Sequence, residues 1–206
     1  QWVTERRYLG LVSGEDGDKI KRLPLVGVWL ERRLATKSSK TQSMSTKSPA
    51  LWAALIMFGF SLRRRANLRK AICLAQSGVL VISDRYPQAD VSGFHYDGPG
   101  IGVERVEEGV KRHLAERERL LYQQMALLRP ELIIRLDIDI DTAFSRKPDH
   151  DYEELRDKIA IMTKIGYNGS RVLELDSRAP YCEVLDKALE AVSSIAIASQ
   201  RRSTTI

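Results

Sequence analysis

Apolar and polar positions along the chain switch between two periods, and the switching sets out a series of elements. Residues 8–12 read as a short strand, followed by the polar loop Ser13-Gly14-Glu15-Asp16-Gly17, and residues 25–34 read as a helix. A long helix is expected from Pro49 to about Gln76, with Gly78 as its stop. Residues 79–82 (Val-Leu-Val-Ile) form a continuous apolar run, the pattern of a strand buried on both faces. The next helix shows Val106, Val110, Leu114, Leu121, Met125 and Leu128 on one face, with Glu107–Lys111 and Glu108–Arg112 as i,i+4 pairs on the other. Pro130 ends it, and residues 132–138 make a second buried strand. Asp151 and Glu154 have the spacing of a capping box, opening a helix with Tyr152, Leu155, Ile159 and Met162 inward. Residues 171–175 give another strand. Pro180 introduces a last helix with Leu185, Leu189 and Val192 inside. Strands alternating with helices imply right-handed βαβ units, so the fold class is α/β with a parallel sheet flanked by helices.

Composition narrows the class. Of 206 residues, 43% are hydrophobic, enough for one core, and a single domain over 1–199 with a flexible tail at 200–206 is expected. The net charge of +6 favours anionic partners without selecting among them. The apolar stretch 51–62 is about twelve residues, short of the ~20 needed to cross a bilayer, so it reads as a buried helix and no membrane partner is expected. Residues 32–48 are rich in Ser, Thr and Lys and carry no acidic residue beyond position 32. A mobile loop over 36–48 is expected there, and nucleic acid is not favoured because no aromatic is interleaved for stacking. Cys73 and Cys182 have no metal-ligand spacing, and a reduced, cytoplasmic setting is the simplest reading. Gln1 opens the chain without an initiator Met or an apolar signal segment, which suggests a natural N-terminus upstream.

Ligands of open α/β sheets bind at the carboxyl ends of strands. The run 79–82 ends in Ser83-Asp84-Arg85-Tyr86, which puts an acid and a base at that edge. Asp84 could hold Mg²⁺ through water, and Arg85 could grip phosphate oxygens with its planar fork; an ordinary structural ion pair is the alternative. Asp137, Asp139 and Asp141 lack the Gly and Glu of a calcium loop and are better explained by alternation at a strand end. Arg156 fits a solvated helix face better than a phosphate site.

The segment Val81-Ile82-Ser83-Asp84-Arg85-Tyr86 resembles the strand of thymidylate kinases that ends in Asp-Arg-Tyr. The preceding helix agrees, since counting back from Asp84 at that family's spacing lands on Arg63, the position of an arginine for substrate phosphate, with Arg64 as the fallback. Pro130-Glu131-Leu132 is similar to the family's Pro-Asp-Leu strand, and Arg146 stands where its arginine-bearing lid begins. The resemblance covers roughly residues 50–192. It implies ATP-dependent phosphoryl transfer to a nucleoside monophosphate, with ATP and Mg²⁺ as cofactors and with room for a homodimer. The implied catalytic residues are Asp84, Arg85 and Arg146, with Arg63, Arg64, Tyr86 and Asp97 at the substrate. Three departures count against a full match. Pro87-Gln88 and Asp97-Gly98-Pro99 replace the thymine-recognition pattern, Pro148 cuts the lid short, and no G-x-x-x-x-G-K-[S/T] occurs. Without that loop and its strand, the chain reads as part of a longer parent. Its sheet should lack a central strand between residues 79–83 and 132–137. A nucleoside or sugar kinase and a non-catalytic interaction protein remain as alternatives.

Overall fold

The computed structural model describes residues 5–10 and 48–203. The helix expected at 25–34, the segment 32–47 and the last two residues of the first expected strand, 11–12, lie outside the described residues. Strand β1 is Arg6–Tyr8, so the first strand begins earlier than its apolar pattern suggested. Helix α1 is Leu51–Gln76, β2 is Leu80–Ile82, α2 is Val110–Ala126 and β3 is Ile133–Asp137. Helices α3 (Ile140–Arg146) and α4 (Tyr152–Met162), strand β4 (Val172–Asp176) and helix α5 (Tyr181–Ser203) follow. The fold is α/β, with parallel strands flanked by helices. Helix α1 stops where Gly78 takes φ of +87°, a left-handed conformation that costs a glycine nothing sterically. Asp151 accepts from the Glu154 amide at 2.9 Å and caps α4 as its spacing indicated.

The strands form two separate two-stranded parallel ladders. β1 pairs with β2, with Arg6 opposite Leu80 and Tyr8 opposite Ile82. β3 pairs with β4, from Ile133 opposite Val172 to Asp137 opposite Asp176. Among the described residues no strand joins β2 to β3. Among the described residues β2 and β3 each have one strand partner, and their apolar side chains are exposed, Ile82 by 51% and Leu136 by 60%. A groove of about 330 Å³ runs along the β3 edge between Ile134, Leu136 and Ile138 on one side and Leu155, Ile159 and Met162 of α4 on the other. Open edges of this kind template pairing with another chain. The 206-residue chain is expected to self-associate with rising concentration, as read by analytical ultracentrifugation. The double variant Ile82→Lys/Leu136→Lys should remain monomeric to higher concentration.

The core lies between α1 and α2. One cluster gathers Leu68, Leu121, Tyr122 and Met125, and a second gathers Ala54, Ile101, Val106 and Ala115. Some expected inward positions differ. Val106 is buried but precedes α2 in extended backbone, and Val110 at the first turn is 67% exposed. With Glu107 and Glu108 also ahead of the helix, Arg112 pairs with Glu116 instead, at 3.0 Å. Leu128 lies past the end of α2 and is exposed. Leu185 and Leu189 are exposed on α5; among the described residues β4 and its partner β3 offer a surface there too narrow to cover both flanks of a long helix.

Candidate functional site

The buried stripe of α1 runs Ala54, Ser61, Arg64, Leu68, Ala71, at helical spacings of three, four and seven. Two polar residues interrupt it, and α2 answers with Glu118 and Tyr122 on its own buried face. Ser61 donates to Glu118 at 2.6 Å, and the second Glu118 oxygen accepts from the Ile101 amide at 2.7 Å. Arg64 donates through Nη1 to the Tyr122 hydroxyl at 3.1 Å and through Nη2 to Asp97 at 2.9 Å. A polar layer thus sits between the two apolar clusters, and buried polar groups are stable there only when paired in this way.

Arg64 is fully buried. Its guanidinium lies 5.7 Å from the Phe94 ring and 5.9 Å from the Tyr122 ring, within reach of a cation–π attraction. Its Nε is buried without a partner among the described residues.

The loop from Pro87 to Ile101 is built against this layer. The buried Gln88 side chain donates to the Val91 and Tyr96 carbonyls, at 2.7 and 2.9 Å, and accepts from the Asp90 and Val91 amides. Gly98 is required because a Cβ there would come within 2.0 Å of the Val91 carbonyl oxygen. The result is a fixed loop that presents Asp97 to Arg64. Asp97 has φ of +61° and a side chain 15% exposed, and its Oδ1 accepts from Arg64. Burial raises its carboxyl above the aspartate range, with Arg64, Arg85 and Lys158 pulling the other way.

At the carboxyl end of β2, Asp84 keeps Oδ1 buried with no partner among the described residues, and Arg85 is exposed with φ of +52°. A left-handed arginine is strained, and such strain concentrates at functional sites. Tyr86 donates to the Leu128 carbonyl, and burial pushes its phenol up to about 12. Tyr86 therefore stays protonated and anchors the strand end to the end of α2.

Of the sequence-predicted residues, Asp84, Arg85, Tyr86 and Asp97 fall on this strand end and its loop. Arg64, the fallback, meets Asp97, whereas Arg63 lies on the exposed face of α1 and is not brought to Arg64's partners. Arg146 sits apart at the carboxyl end of the other ladder, where it donates to the Ser177 carbonyl at 3.0 Å. Asp139 caps α3 through Thr142, and Arg178 clamps Asp176 and lowers it to about 2. Arg156 pairs with Glu153 and Asp157 on the exposed face of α4. Among the described residues no group of three or more metal-ligating side chains occurs. Sequence reasoning missed Gln88, Phe94, Glu118 and Tyr122. Glu118 was findable, since it falls between Ala115 and Leu121 on the buried stripe of α2.

Parallel strands flanked by helices, with charge gathered at their carboxyl ends, make a P-loop NTPase-like architecture. The chain is 76% identical over 204 residues to the uncharacterized ATP-binding protein YghR of Escherichia coli K12, a match spanning 99% of this chain and 81% of that protein. YghR of E. coli O6:H1 gives the same figures. The uncharacterized ATP-binding protein YghS of E. coli K12 is 41% identical over 189 residues, 92% of this chain and 80% of that protein. The chain belongs to the YghR/YghS family. No protein-family profile and no solved structure matches it. Among the described residues no helix is long and apolar enough to cross a membrane.

Proposed function

We propose that this chain supplies the acceptor side of an ATP-dependent phosphotransferase, with a nucleoside monophosphate of the thymidylate kind as acceptor. The observation that carries the reading is the strained Arg85 beside Asp84 at the carboxyl end of β2, facing a loop held rigid by buried side chains. ATP as donor accords with the names of the E. coli relatives. Phosphoryl transfer needs positioning and neutralisation of charge more than covalent work. Arg85 offers a fork for phosphate oxygens, and Arg146 offers a second cation from the other ladder.

The unpartnered Asp84 oxygen fits Mg²⁺ held through water, because Mg²⁺ commonly takes one or two carboxylates together with substrate phosphates. Bound there, Mg²⁺ would neutralise phosphate charge, and Asp84 would orient its water shell. The 206 residues hold no G-x-x-x-x-G-K-[S/T], so the backbone cradle for the β- and γ-phosphates is not among them.

A second reading, a nucleoside or sugar hydroxyl as acceptor, is favoured by one feature. Arg64 is spent on Asp97 and Tyr122 and is not free to grip an acceptor phosphate. The test is an acceptor panel with the full-length natural protein, ATP and Mg²⁺. Transfer to monophosphates is expected, transfer to nucleosides or sugars alone would select the second reading, and no transfer to any acceptor would end both. The 206-residue chain by itself should transfer nothing.

A further inference from the structure

A monophosphate acceptor needs a cation for the phosphate it brings, a requirement that rests on the nucleotide-acceptor reading. Arg64 is buried and committed to Asp97 and Tyr122, and Arg146 is turned to the Ser177 carbonyl. Helix α4 offers another. It packs against the turn Phe94–Tyr96 in the loop from Pro87 to Ile101. Just past its end the Gly166 amide donates to Asp90 at 2.9 Å, which ties the same loop to the helix. The Tyr96 phenol is raised first by burial and then by Asp157 and Glu154, so that face of α4 is turned to the loop.

Lys158 stands on this face, four residues after Glu154 and next to Asp157. Two carboxylates that would otherwise neutralise it are engaged elsewhere. Asp157 faces Arg156 at 3.4 Å, and Asp90 holds the Gly166 amide. Among the described residues Lys158 has no hydrogen bond or ion pair. It lines the groove of about 330 Å³ with Leu155, Ile159 and Tyr167. An alkyl stem can lie along such an apolar wall while its ammonium stays in water. Arg85 is likewise exposed and unbonded among the described residues, and both cations act on the Asp97 carboxyl. Asp97 is already matched by Arg64, so it neutralises neither of them. Unmatched positive charge at one loop favours an anion there.

We propose that Lys158 binds the acceptor's own phosphate together with Arg85. The lysine acts as a point charge on the phosphate and the arginine as a planar fork. One cation comes from the end of β2 and the other from the helix between β3 and β4, so the phosphate is held from both halves of the fold at once.

The test is calorimetric binding of thymidylate and thymidine, which differ only in the phosphate, to the full-length natural protein without ATP. Two charged contacts should make thymidylate bind about a hundredfold more tightly. In Lys158→Met, which keeps an apolar stem without the charge, the ratio should fall to about tenfold while thymidine binding stays unchanged. Lys158→Arg should restore most of it. Lys158 is exposed, so neither variant should move the melting temperature. A loss equal for both ligands, or an unchanged ratio, overturns the proposal. Equal binding of the two ligands by the wild type, or binding of neither, also overturns it. Transfer from ATP to thymidylate with the same KM after Lys158→Met would leave the kinase reading standing and sink this one. A binding ratio that depends on Lys158, with no transfer from ATP, would do the reverse.

Discussion

Replacing Arg64 by alanine is expected to cost about 3–5 kcal/mol of folding stability, the range for removing one partner of a buried ion pair. The side chain is wholly buried, and its loss would leave Asp97, only 15% exposed, without its cation. The Tyr122 hydroxyl would lose its donor in the same layer. Denaturant titration of the full-length protein measures the deficit, and its pH dependence identifies the cause. The Asp97 carboxyl is already raised by burial, and removing Arg64 takes away a charge that lowered it. A group with a raised folded pKa binds its proton more tightly when folded, so the unfavourable charge is relieved as pH falls through that raised value. The deficit should be full near neutral pH and shrink in acid. A deficit that is constant from neutral pH down through the carboxylate range would assign the loss to packing instead.

Replacing Arg85 by alanine in the full-length protein is expected to lower turnover about 10³-fold or more, by comparison with other arginines that stabilise a transferring phosphoryl group. That is about 4 kcal/mol of transition-state stabilisation. Arg85 is exposed and at a strand end, so its loss should move the melting temperature little. Its left-handed backbone even favours a smaller strain in Arg85→Gly, which should be as inactive as alanine and no less stable. Arg85→Lys should restore little, since an ammonium cannot form two parallel bonds to a phosphate. Single-turnover rates with saturating acceptor separate the chemical step from binding. A variant with unchanged kcat and a raised KM would demote Arg85 to a binding role.

Much of the fold was legible because α2, α4 and α5 keep a helical period, while α1 was legible by its length and its glycine stop. The run at 79–82 is apolar throughout and that at 132–138 is broken only by Arg135 and Asp137; they became β2 and β3, though neither is buried on both faces, and Gly78 ended α1 where expected. The failures have physical causes. A helix start is set by local backbone, and Gly109 moved that of α2 downstream of Val106. The inwardness of Leu185 and Leu189 depends on what surface α5 meets, which no local pattern contains. At the site, Asp84 and Arg85 were visible from a strand end alone. The phase of α1 was not legible across three successive arginines; the buried stripe through Ser61 and Leu68 takes Arg64 inward and leaves Arg63 on the exposed face. Asp97 was named from its loop, but its partner across thirty-three residues was not visible in any local spacing.

The two ladders share no strand among the described residues, and this bears on how the molecule breathes. In a continuous sheet, freeing one strand strips hydrogen bonds from its neighbour, and the amides lose protection together. Here β1 and β2 can part without touching the hydrogen bonds between β3 and β4. Among the described residues, the link between the ladders runs through helix and loop contacts, the packing of α1 on α2 and the Gly166 amide on Asp90 among them. Amides of Leu80–Ile82 and of Ile133–Asp137 therefore belong to separate opening events, and deuterium would enter the shorter ladder on its own clock.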